Sequence, residues 1–172
     1  LSVLLVENRG RDIAPWILNM RNYQASYDIF CHIHSKASMY SNYGNEWRTY
    51  LFDNIIRKDA VSDIINIFSE HPDMGCVFPA MFSKLRQTFL DFNVPLYGSE
   101  YEYSLICNML HRMGLTGELC RSELFFSGGS MMWYRPQALH QLFTVDLELD
   151  EFAEEPIGVG GTLAHALERL PS

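Results

Sequence analysis

No two cysteines in this chain have the spacing of a metal or redox site. Cys31, Cys76, Cys107 and Cys120 stand far apart in sequence, which reads as reduced, partly buried thiols. Positive charge is scarce: 13 Lys and Arg face 21 Asp and Glu, for a net charge of −8. A surface that neutralises many phosphates needs the opposite balance, so nucleic acid is excluded as the main partner. A diphosphate held by a few local cations remains compatible with it. No apolar run approaches the ~20 residues of a membrane span, and the opening residues do not read as a signal peptide. A Walker loop, HExxH and GxSxG are also missing, which removes the P-loop, zinc-protease and nucleophile-elbow readings. There is no repeat, low-complexity tract or linker.

What is present is a chain of 172 residues, 48% hydrophobic and 13% aromatic. That is enough for one domain, residues 1–172, with its own core. The run Val3-Leu4-Leu5-Val6 has the pattern of a buried strand over residues 2–7. A strand at the very start, without an initiator Met, leads us to expect a segment excised from a longer protein. Asn8 to Asp12 forms a polar turn, and Ile13, Trp16, Ile17 and Met20 follow at helical spacing. Residues 27–33 read as a second strand, 34–46 as a loop, and 47–56 and 60–69 as helices. Residues 75–79 read as a strand, 80–98 carry no clear pattern, and 100–115 read as a helix ended at Gly114. Two strand-like runs, 124–126 and 130–134, flank Gly128-Gly129. A helix follows Pro136, then an acidic turn over 151–156, and Thr162 caps a last helix. Alternating strands and helices predict an α/β domain with a mainly parallel sheet flanked by helices.

Four segments can carry chemistry. Asn8-Arg9-Gly10-Arg11-Asp12 follows a strand, where open α/β sheets place ligand loops. Its guanidiniums can grip an anion; alternatively Asp12 caps the helix and pairs with Arg9 or Arg11. In His32-Ile33-His34-Ser35-Lys36, the strand period puts His32 and His34 on one face. They can share a metal or face a ligand, with Lys36 as a point charge for phosphate; alternatively one imidazole is a core residue and the other lies at the surface. Gly128 and Gly129 let backbone approach a ligand, or form a bulge at a sheet edge. Glu154-Glu155 can supply a general base to activate a hydroxyl, or form a solvated loop. His165 and Arg169 share one helix face.

The blocks VENRGRDIAPW, YDIFCHIHSK, EWRTYLFDNII, IFSEHPDMGCVFPA, FFSGGSMMWYRPQAL and EEPIGVGGTLAHALERL resemble, in this order, the rhamnan synthesis protein F family. The resemblance covers nearly all of the chain. It implies a nucleotide-sugar-dependent glycosyltransferase of bacterial cell-wall and lipopolysaccharide-type glycans. The block order is also similar to the C-terminal, acceptor-side part of a GT-A glycosyltransferase, with the first strand and helix of the nucleotide site upstream of Leu1. On that likeness Asn8-x-Gly10 matches the first turn, and His32-Ile33-His34 stands where the D-x-D metal motif would be. Gly128-Gly129 with Arg135-Pro136 matches the acceptor-side strand, and Glu154-Glu155 stands near the catalytic acid. Two departures stand out. The D-x-D is missing, which counts against a divalent metal, and Gly160 occupies a turn position where the family pattern has Asp.

The resemblance therefore implies Glu154 or Glu155 as general base. It puts Asn8, Arg9, Gly10, Arg11, Asp12, His32, His34 and Lys36 towards the donor and its phosphates. Gly128, Gly129, Trp133, Thr162 and His165 would border the acceptor. The implied partners are a nucleotide sugar such as dTDP-rhamnose and a polysaccharide or lipid-linked glycan; a homodimer is also expected. The implied location is the cytoplasm, including the inner face of the membrane. The alternatives are a non-catalytic glycan-binding or scaffolding module, and more remotely a two-His metal hydrolase. The transferase reading requires the two-imidazole strand end, the twin-glycine bend and the paired glutamates to meet at one cleft.

Overall fold

The computed structural model describes residues 3–35, 42–117, 119, 121, 126 and 128–171. Its elements run α1 (Ile13–Met20), β1 (Phe30–His32), α2 (Gly44–Ile55), α3 (Lys58–Glu70), β2 (Cys76–Val77), α4 (Ser83–Asp91), α5 (Glu100–Arg112), β3 (Met132–Tyr134), α6 (His140–Thr144) and α7 (Leu163–Leu167), with a 3-10 turn at Leu149–Glu151 before α7. The chain is a mixed α/β structure. Lys36 and residues 124–125 lie outside the described residues.

The sheet corrects the expectation of mainly parallel strands. Its order is β1-β3-β2, and both pairings are antiparallel. Cys31 sits opposite Trp133, and Val77 sits opposite the same Trp133 from the other side. β1 and β2 therefore run in one direction, as helical connections between strands favour. They do not pair because β3 returns between them in the opposite sense.

The apolar run Val3–Val6 is a second correction. It forms no strand among the described residues, and its side chains are exposed, Leu5 at 93%. A continuous apolar strand is buried only when both faces are covered, and here neither is.

Helices follow the apolar spacing where one face is buried. α1 turns Ile13, Ala14, Trp16 and Ile17 into the main core. α5 begins at a capping box: Ser99 Oγ accepts from the Glu102 N–H, while Glu102 Oε2 accepts from the Ser99 N–H. The helix ends ahead of Gly114, whose φ of +72° suits a chain reversal. α4 buries none of its residues fully, and its inward side of Leu85, Thr88 and Phe89 is half-buried.

Period-two alternation on β3 splits the core. Met132 and Tyr134 face the main cluster with α1, α6 and α7. Met131 packs with Leu51 and Ile55 of α2, and Trp133 lies against that smaller cluster. Trp16 ties the halves of the main cluster together: its indole N–H donates to Tyr134 Oη at 3.0 Å.

Candidate functional site

The turn before α1 is held by the acidic turn near the C-terminal end. Arg9 and Glu154 form an isolated antiparallel bridge, and the Gly10 N–H donates to the Ala153 carbonyl at 3.3 Å. Only glycine fits at position 10. Its φ is +60°, and an added Cβ would lie 2.6 Å from Phe152 Cδ1. Arg9 donates to Glu7 at 2.6 Å and to Glu154 at 2.5 Å. The Arg11 N–H donates to Glu155 Oε1 at 3.0 Å, and its Nη2 donates to the carbonyls of Ile157 and Gly158. The expected pairing of Asp12 with Arg9 or Arg11 is replaced by these bonds. Asp12 occupies the cap position of α1 without a side-chain cap bond.

Asp12 instead faces the two imidazoles. Its Oδ2 lies 3.6 Å from His34 Nε2 and 4.0 Å from His32 Nε2. His32 is stacked on Trp16 and its Nδ1 meets the Ser130 carbonyl at 2.7 Å, so Nδ1 carries the proton and donates. Burial pushes the His32 pKa down to about 4, although the Asp12 charge and the Ser130 carbonyl both pull it up. His34 Nε2 donates to the Gly129 carbonyl at 2.8 Å. These ring nitrogens are already engaged. Among the described residues no group of three or more His, Cys, Asp or Glu side chains is placed to hold a metal ion.

The twin-glycine bend forms the floor below them. Gly129 adopts φ +105°, and its N–H donates to Glu168 Oε1 at 3.0 Å. A Cβ on Gly128 would lie 2.9 Å from Leu85 Cδ2 of α4.

From α7, His165 is buried at 4% exposure, with Nδ1 2.7 Å from Thr162 Oγ1. Its pKa is lowered, chiefly by burial and then by the Arg11 charge. Arg169, one turn on, donates to the His165 and Leu96 carbonyls and lies over the Phe126 ring. It also lies 3.5 Å from Glu102 Oε1. Burial raises the Glu102 pKa, but the Ser99 N–H, the Arg169 charge and the Ser99 hydroxyl together hold it below the ordinary value. Gly160 faces this carboxylate: a Cβ there would sit 3.4 Å from Oε1.

These groups surround one cleft of about 930 Å³. Arg11, Asp12, His34, Gly128, Gly129, Glu155 and His165 all line it. The strand end, the glycine bend and one of the paired glutamates thus share a single cavity. Glu155 is fixed there, since its Oε2 also accepts from the Ile157 N–H at 2.9 Å. Glu154 points away, at 77% side-chain exposure and paired with Arg9. Asn8, Arg9, Gly10 and His32 lie outside the lining, where Gly10 and His32 act as supports. Thr162 opens onto a smaller neighbouring groove of about 380 Å³. Trp133 does not reach the cleft; its indole N–H donates to the Ile55 carbonyl at the end of α2. Sequence reasoning did not find Glu102, Glu168 or the aromatic wall of Trp47, Phe89 and Phe126. Gly160, the departure from the family pattern, is brought against Glu102 only by the fold.

The sequence profile of the family described as rhamnan synthesis protein F matches residues 1–171. The chain belongs to the rhamnan synthesis protein F family. It is 31% identical over 165 residues to two proteins named "Uncharacterized protein WxcX", from Xanthomonas campestris pv. campestris strains B100 and ATCC 33913. The match covers 95% of this chain and 22% of each relative, so the chain spans under a quarter of their length. No solved structure matches it. Membership of the rhamnan synthesis protein F family ties the chain to polysaccharide synthesis. No helix among the described residues is long and apolar enough to cross a membrane.

Proposed function

We propose that this chain is a glycosyltransferase module that moves a sugar from a nucleotide-sugar donor to a glycan acceptor in cell-surface polysaccharide synthesis. One observation carries the reading: Glu155, Asp12, His34, Gly129 and His165, drawn from four distant stretches of sequence, line the same cleft. In this reading Glu155 is the general base. Its carboxylate is oriented by the N–H groups of Arg11 and Ile157, and each oxygen keeps lone-pair capacity for an acceptor hydroxyl. The hydroxyl proton passes to Glu155 as the acceptor oxygen bonds to the sugar anomeric carbon. The bond from that carbon to the diphosphate breaks, and the nucleoside diphosphate leaves with its electron pair. Lys36, two residues beyond His34, supplies charge for the donor phosphates. Sugar transfer by the full-length protein tests the proposal, with Glu155→Gln as the deciding variant.

A second reading, a non-catalytic glycan-binding module, is favoured by a separate observation. Both guanidiniums on the cleft, Arg11 and Arg169, donate to backbone carbonyls. A full-length protein that binds glycan and transfers no sugar would decide for it.

A further inference from the structure

The polar atoms on this cleft are of an unusual kind. Among the described residues, His165 Nε2, Asp12 Oδ2 and Glu102 Oε1 are buried and have no hydrogen-bond partner. All three residues line the cleft. Burying a polar atom without a partner is costly, so such atoms mark places where a ligand completes the bonding. Two of the three are carboxylate oxygens, which only accept.

The charge balance narrows the ligand. Among the described residues, Asp12, Glu102, Glu155 and Glu168 line the cleft with the two guanidiniums of Arg11 and Arg169. Those guanidiniums already donate to the carbonyls of Ile157, Gly158, Leu96 and His165. An incoming diphosphate would meet carboxylates, of which only Glu102 has a guanidinium beside an otherwise unbonded oxygen, that of Arg169 at 3.5 Å, and it has no proton to give them at neutral pH. A hydroxyl donates to a carboxylate, and it both donates and accepts, so it satisfies His165 Nε2 in either tautomer that Thr162 selects. Trp47, Phe89 and Phe126 also line the cleft, with the last two rings edge to face at 6.3 Å. Flat aromatic surface suits the C–H face of a sugar ring.

We propose that this cleft takes an uncharged saccharide, whose hydroxyls donate to Asp12 and Glu102 and bond His165 Nε2 while one ring face packs on the aromatic wall. The proposal rests on the transferase reading for the saccharide's role as acceptor, and on the cleft alone for its binding.

The test is a titration of the full-length protein with methyl α-L-rhamnopyranoside, inorganic pyrophosphate and dTDP, followed by NMR or calorimetry. The rhamnoside is chosen because the family is named for rhamnan. Saturable rhamnoside binding is expected, with Kd rising about tenfold in His165→Ala, the scale of one buried hydrogen bond. Phe89→Ala gives a similar loss, and it serves as the second variant because α4 buries none of its residues fully. Pyrophosphate and dTDP affinities stay unchanged in both. Rhamnoside binding that is absent, or unmoved by both variants, overturns the proposal. So does a loss of pyrophosphate or dTDP binding in His165→Ala, which would make the cleft a donor site. A protein that binds rhamnoside in this pattern but transfers no sugar overturns the transferase reading and leaves the saccharide site standing.

Discussion

The indole of Trp16 lies flat on the imidazole of His32, with ring centroids 4.4 Å apart and planes within 6°. The stack helps bury His32, and that burial keeps the ring neutral although the Ser130 carbonyl bond favours its protonated form.

That burial makes stability depend on pH. His32 has a folded pKa of about 4, below the ordinary value of 6.5, because burial disfavours its charged form. The unfolded chain therefore binds the proton more readily. The contribution of neutral His32 is fully present above pH 6.5 and is lost as pH falls towards 4. His165 is shifted in the same direction. We expect urea midpoints to fall steadily between pH 6.5 and 4, and His32→Gln to flatten part of that slope.

Glu154 and Glu155 are adjacent in sequence but not equivalent. Glu155→Gln should lower the transfer rate by ~10²–10⁴-fold, the usual contribution of a general base. Glu154→Gln breaks an exposed pair with Arg9 and should leave turnover within a few-fold of wild type. Initial-rate assays on the full-length protein check both, and equal rates in the two variants would reject the assignment.

Gly10→Ala should destabilise the fold by roughly 2–4 kcal/mol. The new methyl meets Phe152 at 2.6 Å and Ala14 at 2.8 Å, at a φ of +60°, so overpacking and left-handed strain add. Denaturant unfolding should show a lower midpoint with an unchanged slope.

Tyr134→Phe removes the acceptor of the buried Trp16 N–H. A cost of about 1–3 kcal/mol is expected, the range for leaving one buried donor unsatisfied. Trp16 fluorescence followed through urea unfolding measures it.

Much of the helical framework was legible because each helix that packs on the core repeats its apolar residues. α1 is the clear case, with Ile13, Trp16 and Ile17 buried as their spacing requires. α4 was harder to read, because its inward side of Leu85, Thr88 and Phe89 is short and only half-buried. The strand order was hidden for a different reason. Local sequence specifies that Cys76-Val77 is extended, but not that β3 will lie between it and β1. The strand at Val3–Val6 was misread because apolar letters report a capacity for burial, and no cover is present among the described residues.

In the site, the motif-bearing turns were visible through their Gly, His and Glu residues. Trp133 was misplaced by ignoring its neighbours: Met132 and Tyr134 take one face of β3, which sends Trp133 to the other. Glu102 could not be found from spacing. Its helix cap explains it completely in sequence, and only the fold brings its second oxygen to the cleft.

The Gly128–Ser130 bend runs straight into β3, which is hydrogen-bonded along both edges, while the facing wall on α4 buries no residue fully. The two sides of the cavity are thus mechanically unequal. On the saccharide-site proposal, substitutions on the cleft face of α4 should cost less stability than substitutions in the Gly128–Ser130 bend.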